Sequence, residues 1–543
     1  MANNFKKGID RMMWVQVAPI PNAHAAGGGM ATDLRNDLSR NPFVYQLVSA
    51  AILNRFNGIT KGSQLAVNPG LGGTFGVGAG CTFCPSFALV GVLGTGSTTT
   101  SISTNTTLTS VGVNMLANRG GSGEYGYRVR ISDNVVGGSG KIEERWITGN
   151  TSGTKPTLLL DTALTFTPGT GAAYEILSGE IHMLSAGTIS ATTFRAFEIA
   201  TNTLTSLSST GLAAAIGTDY AGCALDELYV PYDHQPGEGF VIGTSQYDGT
   251  SKYCLVATTS GPAMLTGQTS GGDIDVLANE YRNFQIRIVE DTAKPTAVNQ
   301  RAIIASHTAG VSGTSTAPVY TLGANWTVTP SPTAKFVIEY PNQLLIRSSG
   351  TTSVYTYNYT NGTINNGTTS MNTNTWSTAY FGAAGSAMGA GCTALPSFGI
   401  EPDAAKNSRH SFVYFFRGLA TTTCDVLDIA GGTTGSFSNA IVYDGALPTL
   451  TTGACGKYAP FDNEGRFGYL NIYVASAINQ IYRFDVKNRV LQAFTPTDWI
   501  QSGTAAVGDR IGTYCAIDGT DKYTVIFLLA HLSTIAQELV VQV

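Results

Sequence analysis

Gly468–Phe494 reads GYLNIYVASAINQIYRFDVKNRVLQAF, and its reading decides the fold. Tyr469 to Val474 alternates and is rich in β-formers. Ala475 to Asn479 is small and polar, and Ile481 to Val486 alternates again. Lys487-Asn488-Arg489 then turns into Val490 to Phe494. The same strand–turn–strand–turn–strand sentence recurs at Ile181–Leu207, Leu344–Ile364 and Phe412–Phe437. Each copy carries an acid or amide in its middle strand: Glu198, Asn358, Asp428 and Asp485. A repeat of this kind is a propeller blade or a β-solenoid rung.

A second marker precedes the repeats. Cys223, Cys392, Cys455 and Cys515 sit in small or glycine-containing contexts (AGC, GAGC, TGAC, GTYC) before an apolar run. The last three are roughly 60 residues apart, a little longer than common blades. They read as equivalent positions on successive inner strands, where small side chains suit a crowded axis; a metal or redox role is the alternative. Second strands are then expected near Ile181, Gly239, Ala302, Leu344, Phe412, Gly468 and Tyr523. This predicts a C-terminal propeller of about seven blades over 179–543, with six as the alternative because the Ala302 unit matches least. The last unit supplies only three strands, so its outer strand is expected from the N-terminal half.

The chain is mainly β. Its 543 residues leave room for several domains, and only 12% are charged, with 64 glycines and a net charge of −5. Scarce charge with abundant Thr and Tyr suits a rigid, assembled protein and excludes a disordered one. No basic tract argues for nucleic-acid binding. Eight cysteines do not make a disulfide scaffold. Cys81 and Cys84 form a lone C-T-F-C without a second zinc pair. The histidines (24, 182, 234, 307, 410 and 531) do not cluster in sequence.

Residues 1–30 read as an extended arm; Asp10, Gln16 and Pro19 interrupt a faint signal-peptide pattern. The triple glycine at 27–29 would let that arm dock on a neighbouring subunit. No apolar run of membrane-spanning length is present. Residues 31–178 read as an N-terminal sandwich or barrel-like β domain with one or two helices. The clearest helix is expected over 42–56: Asn41 can cap it, Pro42 starts it, and Val44, Leu47, Val48, Ala51 and Ile52 share a stripe. Gly70 to Ser110 reads as irregular loops with short strands. Tyr125–Ile131 and Lys141–Ile147 form a hairpin whose Arg128, Arg130, Glu143 and Glu144 make a solvated cross-strand charge set. Thr157–Leu160, Ala163–Phe166 and Tyr174–Leu177 add strands. Tight hairpins are expected at Asp248-Gly249, Asp444-Gly445 and Asp518-Gly519.

Marks of chemistry are missing. No sialidase-type turn, G-x-S-x-G, H-E-x-x-H or calcium loop occurs, and the five tryptophans do not repeat with the blade. Glu198, Asp428 and Asp485 read as turn acids satisfying backbone N–H groups; lining a channel is the alternative. No catalytic, cofactor-binding or metal residue is assigned, and no cofactor is expected.

The segment from Gly121 to Leu184, GSGEYGYRVRISDNVVGGSGKIEERWITGNTSGTKPTLLLDTALTFTPGTGAAYEILSGEIHML, resembles virion structural proteins of tailed bacteriophages. The wider layout, a β region followed by a Thr/Gly-rich propeller, is similar to the tail nozzle and hub proteins of short-tailed phages. The resemblance implies a non-enzymatic subunit of a homo-hexameric ring in the virion tail. Such a ring contacts adaptor and fibre proteins and passes genomic DNA through its lumen without specific binding. Two other classes stay open. One is a collar, decoration or receptor-binding protein, which exposed Tyr355, Tyr357 and Tyr359 would support. The other is a propeller hydrolase.

Overall fold

The computed structural model describes residues 14–16, 19, 29–32, 43–49, 52–57, 62–67, 80–83, 86–105, 111–114, 116, 117, 127–133, 135, 137–178, 180–184, 194–198, 203–212, 219–224, 255–267, 277–298, 300–311, 316–339, 343–349, 352–358, 376–381, 388, 389, 392–397, 412–418, 421–431, 436–441, 455–459, 467–474, 478–485, 490–493, 510–518, 521–529 and 536–542. Within them the chain is mainly β, and no helix is long and apolar enough to cross a membrane.

Six four-stranded antiparallel sheets repeat one plan. The first holds β2 (Gly29–Thr32), β3 (Phe43–Ser49), β4 (Ile52–Asn57) and β5 (Gly62–Val67). The second holds β6 (Gly80–Phe83), β13 (Glu180–Leu184), β14 (Phe194–Glu198) and β15 (Thr203–Ser206). The third holds β16 (Tyr220–Ala224), β23 (Gln343–Ser348), β24 (Val354–Asn358) and β25 (Trp376–Phe381). The fourth is β26 (Thr393–Ser397), β27 (Phe412–Phe416), β28 (Cys424–Asp428) and β29 (Ser436–Ile441). The fifth is β30 (Cys455–Ala459), β31 (Phe467–Val474), β32 (Ile478–Asp485) and β33 (Val490–Ala493). The sixth has β34 (Arg510–Asp518), β35 (Asp521–Leu529) and β36 (Ala536–Gln542), and its outer strand is β1 (Trp14–Gln16). The sought outer strand therefore does come from the N-terminal half: Trp14 pairs with Leu539, Val15 with Glu538 and Gln16 with Gln537. The N-terminal segment thus docks on this chain's own last sheet. First strands lie side by side: β2 with β6, β6 with β16, β16 with β26, β26 with β30, β30 with β34, and β34 with β2.

Two further units interrupt this series, each between the first and second strands of a sheet. Between β6 and β13 lies a six-stranded sheet in the order β7 (Ser86–Val92), β12 (Ala173–Ser178), β9 (Arg128–Ser132), β10 (Ile142–Asn150), β11 (Thr157–Leu160), β8 (Ser101–Ser103). Between β16 and β23 lies a closed six-stranded barrel. Its order is β17 (Leu255–Gly261), β18 (Met264–Gly267), β21 (Val319–Leu322), β20 (Arg301–His307), β19 (Gln285–Glu290), β22 (Lys335–Glu339), and β22 pairs back to β17.

Three expectations change here. The helix expected over 42–56 is instead the β3–β4 hairpin, and no helical sandwich is seen among the described N-terminal residues. Its apolar positions satisfy the helical stripe only because a strand buried on both faces is apolar almost throughout. Pro42 sits just before a strand, where its missing N–H is tolerated as readily as at a helix start. The Ala302 strand, the unit that matched least, belongs to the barrel; the described residues form six four-stranded sheets, where about seven units, or alternatively six, were expected. Ala163–Phe166 is not a strand, although Leu164 and Phe166 are buried in the core of the six-stranded sheet. The strand near Gly239 and the turns at Asp248 and Asp444 lie outside the described residues. Asp518 pairs with Asp521, so that hairpin closes over two residues.

The second strands at Ile181, Leu344, Phe412, Gly468 and Tyr523 all fall in the expected place. Cys223, Cys455 and Cys515 lie on first strands, and Cys392 immediately precedes one. The need for small residues there is steric. A Cβ added at Gly222 would meet Ile346 Cγ2 at 2.9 Å and the Leu345 carbonyl at 3.0 Å. Register repeats too: the last residue of the third strand sits opposite the first residue of the second in Asn57–Phe43, Glu198–Glu180, Asn358–Gln343, Asp428–Phe412 and Asp485–Phe467.

Alternation then sends successive side chains to the two neighbouring sheets. Leu344 and Ile346 pack with Leu184 and Phe194 of the second sheet, while Leu345 packs with Val413 and Phe415 of the fourth. Phe412, Tyr414 and Phe416 turn the other way, onto Phe484 and Leu491 of the fifth. Phe484 meets Tyr414 edge-on at 5.0 Å and Phe416 at 5.6 Å. This is why FVYFF is buried at every position. Phe484→Ala is expected to cost about 3–5 kcal/mol. Hydrogen exchange should show that loss in β27 as strongly as in β32, although β27 belongs to the neighbouring sheet.

Candidate functional site

Charge is scarce in this chain, so the places where it is buried are informative. The largest is the junction between the six-stranded sheet and the barrel. Arg130, on the central strand β9, stands in register with Glu144 of β10 and Glu175 of β12. The three form a row across the sheet. Arg130 Nη1 lies 3.3 Å from Glu175 Oε2, and its Nε lies 3.7 Å from Glu144 Oε2. Arg128 Nη1 reaches Glu144 Oε1 at 2.8 Å, and its guanidinium lies over the Trp146 ring at 5.1 Å. From the barrel, Arg301 Nη1 donates to Glu175 Oε1 at 2.6 Å. Arg301 is directly opposite Arg287 in the β19–β20 ladder, a like-charge pairing that is unfavourable without a counter-ion. Glu175, fully buried, supplies it.

The charge set expected to be solvated is therefore buried. Arg128, Arg130, Glu143 and Glu144 are each under a tenth exposed. The barrel reaches the Arg130 row through Arg301, while Glu143, on the opposite face, pairs with Arg145 and accepts from the Thr165 N–H within its own unit. Burial pushes the Arg130 guanidinium down and Arg287 adds to that, while Glu175 and Glu144 oppose it.

A second buried group joins the third and fourth sheets. Asp425 Oδ2 accepts from Arg347 Nη1 at 2.6 Å and from Arg417 Nε at 2.9 Å. Its Oδ1 accepts from Arg417 Nη2 at 2.6 Å. Burial lowers Arg347 and Asp425 opposes the shift, while the hydrogen bonds that Arg417 donates to Asp425 raise Arg417. The Arg347 guanidinium also lies over Phe415 at 5.6 Å.

The barrel is tied to the fourth sheet as well. Asn283 Nδ2 donates to the Ile429 carbonyl at 2.8 Å, and Ala430 packs into the barrel core. That turn is organised by Asp428, whose Oδ1 accepts from the Ala430 N–H at 3.0 Å. Asp428 thus has the turn role expected of it. The side chains of Glu198, Asn358 and Asp485 lie outside the described residues.

Of the histidines, His182 and His307 are described, and they are far apart in the fold. His182 sits edge-on to Phe194 and Tyr357 between the second and third sheets. His307 accepts from the Tyr281 N–H at Nε2 (2.8 Å) and donates through Nδ1 to the Thr308 carbonyl (2.9 Å), which fixes one neutral tautomer. Tyr355 and Tyr357 are buried between sheets and form no aromatic surface; Tyr359 is outside the described residues. Cys223 and Cys392 pack in the apolar seam of the third and fourth sheets. Among the described residues, no group of three or more His, Cys, Asp or Glu converges to hold a metal. The buried ions join packing units and are not arranged as a nucleophile with its base.

The sequence does carry a signal for these ions. Glu175 in AAYEIL, Arg287 in QIRIV, Arg347 in LLIRS and Asp425 in CDVL are single charges inside apolar strands. Where such a charge is buried, it must be paired.

No family model matches the chain, and no curated protein does. Among solved structures it is similar to a mutant of the NanB sialidase of Streptococcus pneumoniae, at 7% identity and a TM-score of 0.20 over 98% of this chain and 95% of that one. It is also similar to the extracellular domain of a putative hybrid two-component system of B. thetaiotaomicron, at 8% identity and a TM-score of 0.12 over 92% of this chain and 50% of that one. Likenesses this slight carry no argument about function.

Glu175→Gln is expected to destabilise the sheet–barrel junction by about 3–5 kcal/mol, since it removes the buried carboxylate that Arg130 and Arg301 share. Replacing all three by apolar residues of similar volume should restore most of that loss in thermal melts. A second expectation concerns pH. Burial holds His307 below its ordinary value of 6.5. The unfolded chain therefore takes up that proton first as pH falls. The barrel should keep this contribution above about pH 6.5 and lose it progressively between there and the lowered folded value. His307→Gln should flatten that part of the stability–pH curve.

Proposed function

We propose that this chain is a structural, non-enzymatic subunit of a bacteriophage tail, part of a nozzle or hub ring around the DNA-ejection conduit. In this reading the six four-stranded sheets are the blades of a closed six-bladed propeller. Residues 14–16 complete the last blade, and the six-stranded sheet and the barrel stand as appendages on one of its ends. The observation that carries the structural role is the use made of charge. In a charge-poor chain, the principal buried ions described above join one packing unit to the next: sheet to barrel through Glu175, third sheet to fourth through Asp425. A subunit that transmits force or holds a channel open needs such rigidity at its joints.

The likeness in sequence style to virion structural proteins of tailed phages supports the phage assignment. It falls on the segment 121–184, which holds β9 to β13 and thus most of the interrupting sheet with the strand that follows it. A net charge of −5 with only 12% charged residues suits a conduit wall, which must let duplex DNA slide past without holding it. The receptor-binding alternative draws no support from Tyr355 and Tyr357, which are buried.

Electron microscopy of the purified protein and of the particle that carries it tests the reading. A ring of subunits around a duplex-wide lumen on the tail axis is the expected result; density confined to the outer shell would overturn it. The isolated protein is also expected to retain no duplex DNA at ionic strengths near 0.15 M, where screening reaches about 8 Å.

A further inference from the structure

The first sheet contains two buried amides that lack hydrogen-bond partners. Gln46 on β3 and Asn54 on β4 are both fully buried and stand directly opposite one another. Both polar atoms of each side chain are without a partner. Directly opposed residues of an antiparallel pair share a face, so four orphaned polar atoms lie together.

The repeated register says which seam they occupy. In the second, third and fourth sheets, the odd positions of the second strand face the following sheet and the even positions face the preceding one. Leu184, Leu345 and Tyr414 face forward; Leu344, Ile346, Val413 and Phe415 face back. Gln46 is the fourth residue of β3, an even position. It and Asn54 therefore face the sheet that precedes the first in the proposed ring, the sixth, whose β34 lies beside β2. This is the seam where the two ends of the chain meet. It is strapped by β1, a three-residue strand that belongs to the sixth sheet and leads directly into the first.

We propose that this seam is built to open: β1 is a releasable strap, and the Gln46–Asn54 pair is a polar lining that water satisfies once the first and sixth sheets part. A buried amide pair without partners penalises the closed seam and is relieved by opening, whereas the aromatic seam of Tyr414 and Phe484 is penalised by opening. Opening here would let the subunit adjust its curvature, or pass β1 to a neighbouring copy, without disturbing the other seams. The inference rests on the six-sheet ring proposed above.

Hydrogen exchange on the full chain tests it. Segments 14–16, 43–57 and 536–542 are expected to exchange together and faster than 412–416 and 424–428. In a Gln46→Met, Asn54→Leu variant, which keeps volume and removes the orphaned groups, exchange in those three segments should slow by about tenfold and remain unchanged in the fourth sheet. Equal protection of the two regions in the native chain, or unaltered exchange in the variant, would overturn the proposal. A Val15→Cys, Glu538→Cys pair gives a second reading, since those residues are opposed in the strap. Its oxidised form should suppress the fast exchange at 43–57 and its reduced form should not. Failure of the pair to cross-link at all would count against the ring itself, a result distinguishable from a cross-linked seam that exchanges as before.

Discussion

Burial of both faces of the central sheets is the constraint on which the rest of the molecule depends. A four-stranded meander with one wet face can stand against a single partner. The fourth sheet cannot: Val413 and Phe415 need the third sheet, while Phe412, Tyr414 and Phe416 need the fifth. The third sheet likewise needs the second and the fourth. β34 lies beside β2, and residues 14–16 return to pair with β36. The strap also covers an edge that would otherwise offer unpaired N–H and C=O groups to other chains.

Position in the chain then decides where anything else can be added. The connection from first to second strand lies at the same end of a sheet as the turn from third to fourth. Both interruptions use that connection, one after β6 and one after β16, so both units emerge on one side. The barrel accordingly rests on the Asp428 turn of the fourth sheet, which is a third-to-fourth turn, and meets the neighbouring unit through Arg301. Glu175 is well chosen for that meeting. It counters Arg130 within its own sheet and Arg301 from the barrel, so neither unit presents a fully neutralised surface until the other arrives. An ion pair of this kind gives little net stability, but its rupture is costly, which favours one docking geometry over its alternatives.

Much of the repeat was legible because strand, turn and register write themselves into short patterns. The small residues at Cys223, Cys392, Cys455 and Cys515 mark crowded first strands, and the acid that ends the third strand marks a turn. The first sheet was missed for a physical reason. FVYQLVSAAILNRFN is apolar on both sides, and double burial erases the period of two that distinguishes strand from helix. Its Arg55-Phe56-Asn57 ending, a near copy of Arg483-Phe484-Asp485, was the available correction. The second sheet hid its first strand differently. GAGCTFCPSF at 78–87 matches GAGCTALPSF at 389–398 at eight of ten positions, but its second strand follows almost a hundred residues later. Interruption breaks the spacing on which repeat detection relies, while leaving the local signal intact.

The buried ions are harder to read because alternation in a hairpin implies a wet face. YGYRVRI and KIEERWI do alternate, and in an isolated hairpin their charges would be solvated. What distinguishes them is a partner outside the hairpin: Glu175, alone among apolar neighbours, reaches Arg130 on one side and an arginine of a different unit on the other. Alternation therefore reports which side chains share a face and leaves open what covers that face. In a chain with so little charge, an acid set in an apolar strand is better read as a docking point whose counter-ion lies on another element. Asp425, paired with Arg347 of the neighbouring sheet, and Glu175, paired with Arg301 of the barrel, both follow that pattern.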